Sequence, residues 1–297
     1  MRSVRLACVG LGLALGLASG AAHAASSGTL SAGGSQTCAL RSNQSAVCLG
    51  YNSVGQSRPP NLPFTQISSR LGHTCGVAQS GAIQCWGSNA EGEGVSPGGA
   101  FKQVSAGHSF NCAITASSAL QCWGLDSAGQ LTPPAGNFFQ VAAGGAHACA
   151  LSSGGGINCG GDNGYGQANA PSGSFSRVSA GYQHSCAIRS GGNLLCWGRN
   201  DKNQSSPPAG SFVELSAGDH HSCALRSDGA VQCWGDNGSG QVLAPSGTYT
   251  QVSAGQLHSC AVRNDGEILC WGDNGVGQAT PSLERYQVAS LGHTHQC

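Results

Sequence analysis

The sequence predicts an all-β protein: a seven-bladed β-propeller of 37-residue repeats, with three short antiparallel strands and one disulfide in each blade. The first observation is composition. Gly accounts for 48 of 297 residues and charged residues for only 9%, which favours short strands and tight turns over helices. The second is that cysteines recur with a fixed step of 37 residues. The third is that each repeat holds three short apolar runs separated by turn-forming residues, as in a propeller blade.

Residues 1–24 are predicted to be a secretory signal peptide. Basic Arg2 and Arg5 precede an apolar segment, which ends at the small-x-small site Ala22-His23-Ala24. An uncleaved anchor is the alternative, but an apolar segment of about 15 residues is short for a bilayer. We therefore expect cleavage after Ala24, no membrane span thereafter, and a secreted or periplasmic protein. The mature chain has 11 basic and 13 acidic residues, so nothing indicates nucleic-acid binding.

The repeat defines a single predicted domain over residues 25–297, with units beginning near residues 28, 64, 101, 138, 175, 212 and 249. Two cysteines ten positions apart mark each unit: Cys38 and Cys48, Cys75 and Cys85, Cys112 and Cys122, Cys149 and Cys159, Cys186 and Cys196, Cys223 and Cys233, and Cys260 and Cys270. Trp follows the second Cys in five units, whereas Leu49 and Gly160 replace it in the other two. An aromatic residue lies eleven positions before the first Cys at Phe64, Phe101, Phe138, Phe175, Phe212, Tyr249 and Tyr286.

In the last complete unit, residues 251–255, 259–263 and 267–271 are predicted strands, and Asn264-Asp265-Gly266 between the last two is a hairpin turn signal. An open solenoid would share this pattern, but seven units suit a closed ring. The first unit has Ser27 at the aromatic position. We therefore expect a closing strand at 286–292 to complete the first blade, which removes exposed sheet edges.

The repeated sequence Val-Ser-Ala-Gly-x-x-His-Ser-Cys-Ala-Leu, followed by Asp-Gly-Ala-Val-x-x-Trp-Gly-x-Asn-x-x-Gly-Gln, resembles the repeat of the regulator of chromosome condensation family. The length of 37 residues and the lack of a clear fourth strand are more similar to the bacterial subgroup that contains the propeller-type β-lactamase inhibitory protein. The resemblance covers residues 28 to about 292 and implies the fold. It implies no single function, because this architecture hosts exchange factors, inhibitors and lectins. No exchange-factor residue can be matched onto this chain.

The spacing of the cysteines favours disulfides over a metal or redox site. Zinc sites use cysteines two to four positions apart and redox sites use Cys-x-x-Cys, whereas these pairs are ten apart. A three-residue hairpin loop at Ser227-Asp228-Gly229 would place Cys223 opposite Cys233, with a Cα separation of about 4.5 Å. Gly is absent from the third loop position only at Gln44 and Ser118, where we expect strained left-handed backbone.

Five histidines lie two positions before the first Cys, and the resemblance implies that they belong to the structural repeat: His73, His147, His184, His221 and His258. Ligands spread around a ring would not converge on one ion, so we expect packing rather than a metal site. The loops that begin at Asp162, Asp236 and Asp273 lack the alternating carboxylates of a calcium loop, and turn formation explains them. Cys297 is left without a partner in the repeat pattern: it could be free, intermolecular, or the start of an eighth unit.

No nucleophile elbow, zinc-protease motif or phosphate loop is present, so we expect a non-enzyme without cofactor or metal. The candidate binding surface is the loop between the first two strands of each unit, because two residues there vary while their neighbours repeat. Unconstrained loops would vary in the same way. The candidate binding residues are His108, Phe110, Tyr182, Gln183, Asp219, His220, Gln256 and Leu257.

The leading functional hypothesis is a monomer that recognises a protein partner, an enzyme such as a β-lactamase being one kind of target that the resemblance suggests. A glycan-binding repeat lectin is the alternative from another class. A lectin would repeat its pocket residues, whereas the candidate loop residues differ from unit to unit. A structural cell-envelope protein and a hydrolase or lyase propeller are further alternatives, the last disfavoured by the missing motifs.

Overall fold

The computed structural model describes residues 29–280. The predicted signal peptide, the closing strand at 286–292 and Cys297 lie outside the described residues. The predicted fold class is confirmed: seven three-stranded antiparallel sheets form seven blades, each with its strands in chain order. Within residues 29–280 there is no helix of the length and apolar character needed to cross a membrane.

The strand bounds follow the repeat. Blades 1 to 3 consist of β1 (Leu30–Ala32), β2 (Gln36–Leu40), β3 (Ala46–Gly50), β4 (Phe64–Arg70), β5 (His73–Ala78), β6 (Ile83–Gly87), β7 (Phe101–Ala106), β8 (Phe110–Thr115) and β9 (Leu120–Gly124). Blades 4 and 5 consist of β10 (Phe138–Ala143), β11 (His147–Ser152), β12 (Ile157–Gly161), β13 (Phe175–Ala180), β14 (His184–Arg189) and β15 (Leu194–Gly198). Blades 6 and 7 consist of β16 (Phe212–Ala217), β17 (His221–Arg226), β18 (Val231–Gly235), β19 (Tyr249–Ala254), β20 (His258–Arg263) and β21 (Ile268–Gly272).

All seven predicted disulfides are confirmed, and each joins the second and third strands of one blade. Cys223 lies directly opposite Cys233 in the register, and the Cα separation across the seven pairs is 4.0–4.1 Å. Gly229 in the hairpin loop has a φ of 86°. At the same loop position Gln44 and Ser118 have φ values of 66° and 72°, which confirms the predicted left-handed backbone.

Each inner strand packs and bonds against the blade before it. Phe64 of blade 2 lies in a buried cluster with Cys38 and Leu40 of blade 1. The five other aromatic positions that the structure describes repeat this contact: Phe101, Phe138, Phe175, Phe212 and Tyr249. The free edge groups of the inner strands are satisfied by side chains. Gln66 exchanges two hydrogen bonds with the backbone of Val104 in blade 3, at 2.7 and 2.8 Å. Because buried backbone groups need partners, these polar residues hold neighbouring blades in register.

The histidine ring is a second set of blade-to-blade bonds. The Nε2 atom of His147 lies 2.8 Å from Ser185 Oγ in the next blade, and that hydroxyl donates to the carbonyl of Gln167 at 3.0 Å. A hydroxyl has one proton to donate, so the bridging proton belongs to His147 Nε2. The five histidines are buried and repeat this contact with a Ser, Thr or Asn, so in this structure they serve as packing residues.

The ring closes between blade 7 and blade 1. The strand β1 has three residues whereas the other inner strands have six or seven, which agrees with the prediction that the first blade begins short. His258 Nε2 nevertheless contacts Thr37 Oγ1 at 2.8 Å, and the Ala32 N–H donates to Ser253 Oγ at 2.9 Å. We call the contact between two neighbouring blades a seam. The described residues therefore complete the seventh seam, between blades 7 and 1, and an additional strand at 286–292 stays a prediction.

Candidate functional site

The loops between the first and second strands, here called A–B loops, meet around the propeller axis. The Tyr182 N–H donates to the Asp219 carbonyl of the next blade at 3.3 Å, and equivalent backbone bonds run from blade 3 around to blade 1. Six blades have Gly at the end of the inner strand. A Cβ atom at Gly181 would collide with the carbonyl of Gly218, so the close approach of the loops requires glycine there.

Blade 2 departs from this pattern, because Arg70 stands where the other six units have Gly. The next residue, Leu71, has a left-handed φ of 39°. Arg70 Nη2 donates to Asp219 Oδ1 of blade 6 at 2.9 Å, and Nη1 donates to the Ala180 carbonyl of blade 5 at 3.4 Å. Blades 5 and 6 lie opposite blade 2 in a ring of seven, so this side chain crosses the axis.

Three aromatic side chains surround the ion pair. The rings of His108 and Tyr182 are 4.7 Å apart between centroids, and His220 meets Tyr182 edge-on at 5.8 Å. His108 Nε2 lies 3.8 Å from Asp219 Oδ2. We call Arg70, His108, Tyr182, Asp219 and His220 the axial cluster. It joins residues from blades 2, 3, 5 and 6 at one end of a central channel of about 110 Å³, which Arg70 helps to line.

The Arg70–Asp219 pair is nearly buried, with 11% and 6% of the two side chains exposed. Burial opposes ionisation of Asp219, but the Arg70 guanidinium and the neighbouring His108 outweigh it, so the pKa of that carboxyl is lowered to about 2. The carboxylate is therefore charged at neutral pH. Its contribution to stability is present above the ordinary Asp pKa of about 3.9 and is lost as pH falls toward 2.

We expect Arg70→Met to lower the free energy of unfolding by about 3–5 kcal/mol, because it leaves the buried Asp219 carboxylate without its counter-charge. Urea unfolding at pH 7 measures this change. The matched control is Arg70→Met with Asp219→Asn, which removes the stranded charge and should recover much of the loss. If Arg70→Met alone changes the free energy of unfolding by less than about 1 kcal/mol, which is the usual contribution of a surface ion pair, then the Arg70–Asp219 pair stabilises the fold little.

A second group of side chains lies beside the axial cluster on blades 4 and 5. The Arg199 Nη1 donates to Gln183 Oε1 at 2.7 Å, and the guanidinium also pairs with Asp201 at 2.6 Å. Its Cζ lies 5.2 Å from the ring centroid of Tyr165, a side chain that is 53% exposed. We call Tyr165, Gln183, Arg199 and Asp201 the lateral cluster. Together the two clusters form a surface of aromatic and charged residues.

The structure separates seven of the eight candidate residues into three groups. His108, Tyr182, Asp219 and His220 belong to the axial cluster, and Gln183 belongs to the lateral cluster. Gln256 and Leu257 lie on the A–B loop of blade 7, outside both clusters; Leu257 is 36% exposed.

Phe110 was wrongly placed on the surface. It is 0% exposed, because it occupies the histidine position of blade 3 and packs in the core with Phe138 and Val141. Its neighbour in the next blade is Ala148, where other blades have the hydroxyl or amide that pairs with histidine. An apolar pair has therefore replaced a polar one at this seam.

The sequence reasoning missed Arg70 and Arg199. The signal for Arg70 was present, since it is the single non-glycine residue at that position of the seven units. The position of Arg199 varies among Tyr, Ser, Leu, Asp and Arg, and Arg199 is its only basic residue. The backbone joins the A–B loop of blade 5 to the loop after its third strand, because the Arg199 N–H donates to the Gln183 carbonyl at 2.8 Å.

The three Asp-Asn-Gly loops are closed by their own amides. In one of them Asp162 accepts hydrogen bonds from the Gly164 N–H at 3.1 Å and from Gln167 Nε2 at 2.6 Å. The carboxylates of Asp236 and Asp273 are held in the same way by Gln241 and Gln278. Among residues 29–280 no three His, Cys, Asp or Glu side chains lie together as a possible metal-binding group.

Four segments of the chain match the Regulator of chromosome condensation (RCC1) repeat: residues 101–130, 175–204, 212–241 and 249–278. The CRINKLY WD40 ectodomain of the Arabidopsis thaliana receptor kinase ACR4 is 28% identical, with a TM-score of 0.71 over 83% of this chain and 97% of that one. The ectodomain of the Physcomitrella patens receptor kinase CR4 is 27% identical, also with a TM-score of 0.71, over 83% and 73%.

The structure of Kap60 bound to yeast RCC1 (Prp20) contains a chain that is 15% identical, with a TM-score of 0.67 over 92% of this chain and 85% of that one. At this identity the likeness shows the fold alone. No curated protein sequence matches the chain.

Proposed function

Because the chain is an RCC-type repeat β-propeller, we propose that it is a non-catalytic protein-binding module that recognises its partner with the A–B loop face. One observation carries the proposal. The axial cluster gathers non-repeated side chains from four blades at one end of the axis, on a scaffold that otherwise repeats. Tyr, His and Arg suit recognition, because they bury large areas with few rotatable bonds or offer fixed donors.

The partner lies in an oxidising compartment in this proposal. Seven disulfides and the receptor ectodomain neighbours indicate an extracellular or otherwise oxidising environment. We propose more specifically that the protein is secreted or periplasmic, and the predicted signal peptide supports this location. The more specific activity that we propose is inhibition of an enzyme, such as a β-lactamase. The repeat length of 37 residues supports it, because the subgroup that contains the propeller-type β-lactamase inhibitory protein has a similar repeat.

We expect affinity capture with the mature protein to retain a specific protein that Tyr182→Ala with His220→Ala no longer retains. These two side chains are half-buried and can be removed while the Arg70–Asp219 pair stays in place. Mass spectrometry of the retained proteins measures the loss. Phe139→Ser is the matched control, because Phe139 is 42% exposed and is the second residue of β10, at the end of that strand far from the A–B loop.

Two results would contradict the proposal. One is retention that the double variant leaves unchanged. The other is elution of the captured material by free sugars with equal efficiency from the wild type and the variant, which is the behaviour of a lectin. A direct assay of enzyme inhibition with the purified partner then separates inhibition from simple binding.

A further inference from the structure

The tryptophan that follows the second Cys has a defined partner in the preceding blade. Its indole N–H donates to the backbone carbonyl of the residue that ends the turn-rich loop there. Four blades share this bond at 2.8–3.0 Å: Trp86 to Gln56, Trp197 to Gln167, Trp234 to Gln204 and Trp271 to Gln241. In two of these seams a serine hydroxyl donates to the same carbonyl at 3.0 Å. The fifth tryptophan, Trp123, makes no such bond, and the carbonyl it would face, that of Glu93, accepts from the Asn111 side-chain amide at 2.8 Å instead. These loop carbonyls therefore accept from an indole, a hydroxyl or an amide of the following blade.

Blade 4 lacks both donors. Gly160 stands where five blades have Trp, and Ala148 stands where the hydroxyl would be. The carbonyl of Gln130 in blade 3 consequently receives no hydrogen bond from the part of the chain that the structure describes. Blade 1 also lacks the Trp, having Leu49, but there Thr37 Oγ1 donates to the Gln278 carbonyl at 2.9 Å.

An apolar hollow occupies the place of the missing indole. It lies between blades 3 and 4 and is lined by Leu120, Pro133, Pro134, Ala148, Gly160 and the residue with the free carbonyl, Gln130. A Cβ atom on Gly160 would have a single neighbour within 4 Å, the Thr132 carbonyl at 3.6 Å, so Gly160 faces open space. The enclosed part is about 10 Å³, room for about one water molecule. The remainder of the hollow is open to solvent. The equivalent places in blades 2 and 5 are also partly open, since Trp86 and Trp197, which fill them, are only half-buried.

We propose that this seam pocket binds the indole side chain of a tryptophan presented by a protein partner, with the Gln130 carbonyl as the acceptor of its N–H. The chain supplies the template, since four of its own blades hold an indole on the equivalent loop carbonyl. A phenyl ring would cover the same apolar wall and leave the acceptor unpaired, which favours indole over phenylalanine. The proposal rests on the proposed function only in taking the partner to be a protein.

The test uses the disulfide-intact protein and a Gly-Gly-Trp-Gly-Gly peptide that carries 5-fluorotryptophan, followed by ¹⁹F NMR. We expect the fluorine resonance to shift with a dissociation constant on the order of 1 mM, because one small ring supplies the contacts. Gly160→Trp, which fills the pocket as the other blades do, should abolish the shift. Gly160→Leu copies blade 1 and gives the same test if the first variant does not fold. Gly160→Ala is the matched control and should keep the shift.

The N–H contact is tested separately. A peptide with 1-methyltryptophan has no indole donor and should bind about ten-fold more weakly, the effect of one hydrogen bond. Ala148→Ser supplies a hydroxyl to the Gln130 carbonyl and should reduce the difference between the two peptides.

Three outcomes would overturn the proposal: no shift with the wild type, a shift that survives both Gly160→Trp and Gly160→Leu, or binding of free indole without binding of the peptide. The last would identify a small-molecule site instead. Tyr182→Ala with His220→Ala should leave the peptide shift unchanged. Loss of the peptide result alone would therefore reject the seam pocket and leave the proposed binding face standing.

Discussion

Complete reduction of the seven disulfides is expected to unfold the propeller at neutral pH and 25 °C. Each disulfide closes a loop between cysteines ten positions apart, and a loop of that size stabilises the fold by about 2.5–3 kcal/mol in the chain-entropy account. The seven together are worth on the order of 20 kcal/mol, more than the roughly 5–15 kcal/mol by which folded domains are usually stable.

Circular dichroism of the reduced and alkylated protein, with a non-reduced sample as control, checks this expectation. The first cysteine of each pair is fully buried, as for Cys223, whereas its partner Cys233 is partly exposed, so reagent reaches the pairs from the outer strand. A single pair removed as Cys223→Ser with Cys233→Ser should cost about 3 kcal/mol and leave the blade count intact. A fully reduced protein that still unfolds in one cooperative transition would refute the dependence on disulfides.

Mild acid is expected to have the second large effect, because the buried histidines are held neutral. Burial lowers the pKa of His147 and of His258 to about 4, and the pKa of His184 and of His221 to about 3. Nearby positive charges, Arg70 among them, lower the pKa of His147 and His184 further. The pKa of His73 is also lowered by burial.

The sign follows from proton linkage. Below pH 6.5 the unfolded chain binds a proton at each histidine, whereas the folded protein does not until its own lower pKa is reached. Each such histidine therefore removes about 1.4 kcal/mol of stability per pH unit, and four remove roughly 5 kcal/mol per unit below pH 6. The loss from His147 and His258 levels off near pH 4, whereas the loss from His184 and His221 continues down to about pH 3.

Urea unfolding between pH 7.5 and 4.5 measures this slope. His184→Gln is the matched variant, because blade 1 already has Gln36 at that position. This variant should reduce the loss of unfolding free energy per pH unit by about 1.4 kcal/mol, the contribution of one proton, while the other histidines still contribute theirs. An unfolding free energy that stays constant between pH 7.5 and 5 would exclude the histidine ring as the acid-sensitive element.

The fold could be predicted because its determinants are local and repeated. Cysteine pairs, a hairpin turn and a leading aromatic lie within one unit, so seven copies report the same structure. The strain at Gln44 followed from a single missing glycine, and the structure has it. The candidate site could not be predicted in the same way, because its contacts join residues far apart in the chain.

Arg70 and Asp219 are 149 positions apart, and no periodic pattern reports that one side chain crosses the axis to the other. Phe110 shows the opposite error. It lies next to variable loop residues, but it is the first residue of β8 and points into the core. Departures from the repeat were the informative signal in both cases. They also mark Gly160, whose missing side chain leaves a hollow that no single unit would reveal.

The Arg70–Asp219 bond has a mechanical consequence for the whole ring. In a circular array each unit touches only its two neighbours, so small adjustments at successive seams can add up and flatten the circle into an oval. The bond between Arg70 of blade 2 and Asp219 of blade 6 spans the ring, and it fixes the distance between these two nearly opposite blades. A partner that binds the side chains around this ion pair would therefore be coupled to the shape of the whole ring: its affinity would depend on that shape, and its binding would stabilise it.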